Sequence, residues 1–227
     1  MSDGACTVDY FTCTIVGNVI TIKVTQEIPA NVPTEIIITG LDNPRNDKPT
    51  GPFVFVTFDS DGISEIDSGF NINTQMVDLA PITNFSIKPS NETNGGISDV
   101  SISINTIIKL EDGDVLTFTV PSEVIVPQSA SELDIISIGR DINEDLLDVK
   151  DDLKVEVNGN TITVTFVKVG ESTNLYKFVV SGLKNPPSQM ETEGFSNIFI
   201  KDKDNWSVMI YNILPAPTIA NTDAAFI

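Results

Sequence analysis

The chain has 227 residues, a formal net charge of −19 and no histidine. A surface this acidic, with 32 carboxylates against 13 cations, repels phosphate backbones and argues against nucleic acid as a partner. The missing histidine removes Ser-His-Asp and Cys-His devices and histidine-ligated metal sites, and no apolar run reaches the ~18 residues of a membrane-spanning helix.

Taken in chain order, the predicted elements are short strands. Met1-Ser2-Asp3-Gly4 carries neither the charged nor the apolar region of a secretory signal. Alternating β-branched segments then follow at Val19–Thr25, Glu35–Thr39, Phe53–Phe58, Val100–Ile104 and Val115–Val120. The stretch Asp141–Leu153 is the one helix candidate, and it is short and acidic enough to be a loop instead. Beyond it come strands at Thr161–Phe166, Lys177–Val180 and Asn197–Ile200. Ile, Val and Thr together make 73 residues against 19 Ala plus Leu, a bias toward pleated, half-buried surface. Many short strands separated by Gly, Pro and Asn turns predict an all-β protein built as antiparallel sandwiches. Alternation assigns Ile20, Ile22, Ile36, Ile38, Phe53, Ile162, Val164, Phe178, Val180 and Phe195 to inward faces.

The chain also repeats itself. Gly17-Asn18-Val19-Ile20-Thr21-Ile22 lies over Gly159-Asn160-Thr161-Ile162-Thr163-Val164. At the same offset of 142, Gly40-Leu41-Asp42-Asn43-Pro44 falls on Gly182-Leu183-Lys184-Asn185-Pro186, Thr50 on Thr192 and Phe53 on Phe195. One constant offset over so long a span predicts an internal repeat. Residues 76–142 have no earlier copy, so the expected organisation is a partial unit at 1–78, a complete unit at 79–211 and a tail at 212–227.

The repeated G-L-x-N-P…T-x2-F signature and the strand Gly113-Asp114-Val115-Leu116-Thr117-Phe118-Thr119-Val120-Pro121 resemble the tandem Ig-like repeats of large cell-surface and secreted proteins of protists, ciliates especially. The resemblance covers the complete unit and the partial one. It implies tandem Ig-like β-sandwich domains in an extracellular or cell-surface protein with a structural or adhesive role. It brings no catalytic residues.

Candidate sites are few. Asp59 and Asp61 in D-x-D-G, and Asp202 and Asp204 in the second copy, put carboxylates on alternate residues, an arrangement that can hold Ca²⁺. The competing reading is a pair of hairpin turns, since Asp61-Gly62 and Asp204-Asn205 are both favourable turn dipeptides. The run Asp141, Glu144, Asp145, Asp148, Asp151 and Asp152 reads as a solvated acidic surface or a junction calcium site. Asn84, Asn91 and Asn205 open N-glycosylation sequons. Cys6 and Cys13 match no metal or redox spacing; a local disulfide is feasible, and two free buried thiols fit nearly as well. Apart from Ca²⁺, no cofactor is expected.

The leading functional expectation is an extracellular structural module that is not an enzyme. It would form a homopolymeric filament, assembled head-to-tail by strand exchange. The tail, through Pro217, Ile219, Phe226 and Ile227, would serve as the donor strand because it resembles Leu79–Ile87. The alternatives are a calcium-dependent or glycan-binding adhesin and a carbohydrate-active enzyme working through two carboxylates.

Overall fold

The structure, a computed structural model, describes residues 5–6, 10–29, 33, 35–39, 43–72, 78–128, 135–139, 153–169, 175–188, 192–212 and 218–219. The helix candidate and its acidic run at 141–152 lie outside them, and Leu153 opens a strand. All regular structure among the described residues is β, and the chain divides into two compact units, Met1–Pro44 and Arg45–Ile227.

The first unit holds four strands: β1 (Ala5–Cys6), β2 (Phe11–Val16), β3 (Val19–Val24) and β4 (Ile38–Thr39). β2 and β3 form a hairpin in which Val16 pairs with Val19 across Gly17-Asn18. Gly17 sits at φ +59°, a conformation that a Cβ disfavours, so glycine serves this two-residue turn. β1 pairs with β4. Cys13 on β2 is disulfide-bonded, and the sequence offers it one other cysteine, Cys6. Alkylation of the unreduced, denatured chain should therefore add no label, and alkylation after reduction should add two. Mass spectrometry reads the difference directly, and two labels without reductant would exclude the bond.

The second unit carries the rest. Its strands are β5 (Phe53–Phe58), β6 (Glu65–Ile72), β7 (Ala80–Pro89), β8 (Ile97–Thr106), β9 (Val115–Thr119), β10 (Ile135–Gly139), β11 (Leu153–Asn158), β12 (Thr161–Phe166), β13 (Leu175–Lys184), β14 (Ser196–Lys201) and β15 (Ser207–Ile210). Nine of them make one mixed sheet, in the order β10-β13-β8-β7-β15-β14-β9-β12-β11. β7 is the seam. Ala80 and Pro81 pair in parallel with Met209 and Ile210 of β15, and from Ile82 onward the strand pairs antiparallel with β8, with a register shift between Ile82 and Asn84. Such irregularities bend a strand and increase its twist. The sheet curls until Phe85 of β7 meets Phe118 of β9 at 5.9 Å between ring centroids and Phe166 of β12 meets Tyr176 of β13 at 5.8 Å.

The burial alternation follows the pleat. β8 buries Val100, Ile102 and Ile104, β12 buries Ile162, Val164 and Phe166, and β9 buries Leu116 and Phe118. With Phe178, Val180, Ile200 and Met209 these side chains form a single apolar core. Five of the expected core residues lie in it: Ile162, Val164, Phe178, Val180 and Phe195. The earlier five do not. Ile20, Ile22, Ile36 and Ile38 are half-buried, and Phe53 is 56% exposed. Alternation chooses a face, but it does not set how far that face is covered.

β11 and β12 form a hairpin that matches β2–β3. Asn158 pairs with Thr161 across Gly159-Asn160, and Gly159 has φ +58°. β12 has a second partner, however. Its other edge pairs with β9, from Thr161↔Thr119 to Thr165↔Val115, whereas β3 pairs with β2 alone among the described residues.

Candidate functional site

The repeated signature behaves differently in its two copies. In the later copy every position has structural work. Gly182, at φ +88°, lies in the register shift of β13 between Val180 and Leu183, and Leu183 enters the core. Asn185 is buried. Its Nδ2 donates to the carbonyls of Asn91 at 2.6 Å and Thr93 at 3.2 Å, and its backbone N–H donates to the carbonyl of Gly96. The Pro186 carbonyl accepts from Gly95, so Asn-Pro fastens the 91–96 loop to β13. Thr192 Oγ1 accepts from the N–H of Ile219, and Phe195 packs on Phe118 at 6.3 Å.

In the earlier copy Gly40, Leu41 and Asp42 lie outside the described residues, while Asn43, Pro44, Thr50 and Phe53 are exposed. β5 and β6 form a two-stranded antiparallel ribbon from Phe53↔Ile72 to Phe58↔Glu65, with register shifts between Phe53 and Phe55 and between Thr57 and Phe58. The ribbon exposes apolar side chains on both faces of β5. Phe53 and Phe55 lie on one, Val54 and Phe58 on the other, all more than half exposed. Ile63 and Ile66, after β5, are exposed as well.

The turn carboxylates are capped by the chain itself. Asp61 Oδ1 accepts from the N–H groups of Ile63 and Ser64, and Oδ2 accepts from the Ser64 hydroxyl. The hydroxyl, followed by the two amides, holds the Asp61 pKa below the usual carboxylate value. Asp59 Oδ1 accepts from the Ser60 N–H. Asp202 Oδ1 accepts from the N–H groups of Asp204 and Trp206, and Oδ2 accepts from Asn46 Nδ2. Partial burial pushes the Asp202 pKa up, but the donors Trp206, Asn46 and Asp204, with the charge of Arg45, outweigh it and lower the pKa overall. Asp59 and Asp61 stand in one turn and Asp202 and Asp204 in another. Among the described residues no three acidic, Cys or His side chains group as metal ligands. The shifted carboxylates Asp61, Glu123 and Asp202 all move downward, opposite to the direction a general acid needs.

A carboxylate whose pKa is lower in the folded chain binds fewer protons there than when unfolded. Its stabilisation is present above the unfolded value, about 3.9 for Asp, and is lost as pH falls through the folded value. Thermal midpoints should therefore drop on acidification below about pH 4, and the drop should be smaller in Asp202→Asn. An equal drop in the variant would show that Asp202 does not carry it.

Asn84 and Asn205 are exposed at their sequons. Asn91 is half-buried and engaged in its own loop, with Nδ2 donating to the Ile97 carbonyl and Oδ1 accepting from the Thr93 N–H. Of the expected assembly residues, Ile219 is described. Ile219 is buried in the core of its own chain, and its carbonyl accepts from the Thr192 N–H. Pro217, Phe226 and Ile227 lie outside the described residues.

Sequence reasoning missed the strap Arg45-Asn46-Asp47. Arg45 Nη1 donates to Asp114 Oδ1 at 3.0 Å, and Nη2 donates to Oδ2 and to the Lys109 carbonyl. Asp47 Oδ1 accepts from the Ser207 N–H, and the Asp47 N–H donates to the Ser207 carbonyl. The available signal was a departure from the repeat: the same positions in the later copy are Pro187-Ser188-Gln189.

No protein-family model matches the chain, and no curated protein matches it. Among solved structures it is similar to a non-cellulosomal cohesin from the hyperthermophilic archaeon Archaeoglobus fulgidus, at 16% identity over 60% of this chain and 86% of that one, with a TM-score of 0.36. It is also similar to BslA, a bacterial hydrophobin, at 16% identity over 61% of this chain and 98% of that one, with a TM-score of 0.32. Similarity at this level assigns no family. Among the described residues no helix is long and apolar enough to cross a membrane.

Proposed function

We propose that this protein is an extracellular structural module of tandem Ig-like units, which associates with its own kind through the earlier copy of its repeat. The carrying observation is the contrast at one signature position: Phe195 is 1% exposed and Phe53 is 56% exposed. The matching hairpins with Gly17 and Gly159 at nearly the same φ support the repeat reading. The disulfide at Cys13 supports an oxidising compartment. An apolar two-stranded ribbon is marginal alone in water and gains by being covered.

Light scattering over a concentration series tests this reading. The wild-type chain should grow in particle size with concentration, and the Phe53→Ser/Phe55→Ser variant should remain monomeric. A wild-type chain that stays monomeric at high concentration, or a variant that assembles equally, overturns it.

A further inference from the structure

We infer that the edge of β5 left without a partner among the described residues accepts one particular kind of strand: an extended segment with the Gly113–Pro121 pattern, supplied from outside this chain's own core. This deepens the association proposed above and rests on the repeat reading. The chain shows the pairing once already. β9 lies between β12 and β14, pairing antiparallel with both, and it is the strand that joins the β11–β12 hairpin to the β14–β15 pair. On β14 its register runs Ser196↔Thr119, Phe199↔Thr117 and Ile200↔Leu116. At the 142-residue offset these β14 positions are Val54, Thr57 and Phe58 of β5. Among the described residues β5 pairs with β6 alone, the counterpart of β14 with β15 but without β9.

Side chains and backbone call for the same guest. In β9 the buried residues Leu116 and Phe118 alternate with the half-buried Val115, Thr117 and Thr119. A strand of that pattern, set in the transferred register, lays its Leu and Phe on the side of Val56 and Phe58, the positions that correspond to buried Ile198 and Ile200 of β14, and its last Thr opposite Val54. Its backbone satisfies the open N–H and C=O row of the β5 edge, as in strand addition generally. The pattern opens with a turn Gly and closes with Pro, which ends ladder pairing after one short strand. In a folded copy of this chain β9 is already committed on both edges, so the guest is a strand of this pattern that lies outside such a sheet.

The test uses the full chain at a dilution where it is monomeric, with a labelled synthetic peptide of residues 111–122. Binding should saturate, and hydrogen exchange of residues 53–58 should slow. A peptide carrying Leu116→Asp and Phe118→Asp should bind at least about tenfold more weakly, since two apolar side chains lose their burial. Because these changes are made in the peptide, the protein's folding is untouched. Absent saturable binding, equal binding by the Asp peptide, or protection confined to residues outside 53–58 overturns the inference. If the peptide protects 53–58 while the chain never self-associates, the assembly reading falls and this one stands. If the chain assembles through Phe53 and Phe55 but the peptide does not protect 53–58, this one falls.

Discussion

Phe118→Ala should lower the unfolding free energy by about 3–5 kcal/mol, while Phe53→Ala should change it by less than about 0.5 kcal/mol. Both are phenylalanines on β-strands, but their surroundings differ. Phe118 is fully buried, with Phe85 at 5.9 Å on one side and Phe195 at 6.3 Å on another, and truncation there leaves a cavity that three strands must collapse to fill. Phe53 is more than half exposed, so its truncation in the monomer returns little surface to water. Urea midpoints at unchanged slope, measured on dilute protein, read the two values. A Phe53→Ala cost comparable to that of Phe118→Ala would mean that the ribbon is covered within the monomer.

That contrast also marks how far the sequence could be read. Strands with strict alternation were legible because their signal is local: Thr161–Phe166 has the predicted bounds, and Val115–Thr119 differs by one residue. β7 was not legible. Pro81, Asn84 and Pro89 interrupt it, and it tolerates them because its first residues pair with β15 and the rest with β8, whose ladder itself shifts register between Ile82 and Asn84. Inward-facing positions could be named, but burial belongs to the layer opposite. Ile162 and Ile20 occupy the same place in the repeated pattern, and among the described residues only Ile162 lies in a strand paired on both edges. At the candidate site the turn role of Asp61 was written in Asp-Gly. The exposure of the signature's earlier copy was not written anywhere locally, because it depends on which strands lie alongside.

The strap at the start of the second unit should prove a large determinant of that unit's stability. Asp114 is buried, and its carboxylate is held by both terminal nitrogens of Arg45 and by the Glu111 N–H at 2.8 Å. Its backbone is fixed as well, since its carbonyl accepts from the Phe166 N–H at the end of β12. The turn that launches β9 is thus built around a buried anion. Arg45→Ala removes the cation and leaves the carboxylate in place, and breaking a buried pair from one side costs about 3 kcal/mol, more than a surface ion pair would. The second substitution separates loss of the pair from loss of packing. Arg45→Ala/Asp114→Asn removes the stranded charge, and the Asn carbonyl can still accept from Glu111. The double variant should therefore be more stable than Arg45→Ala alone by about 1 kcal/mol or more, an interaction of the size contacting residues show. Urea denaturation of the wild-type chain, both single variants and the double variant closes the cycle. Additive costs would mean that Arg45 acts through its aliphatic stem on the neighbouring loop, with the Asp114 charge satisfied without it.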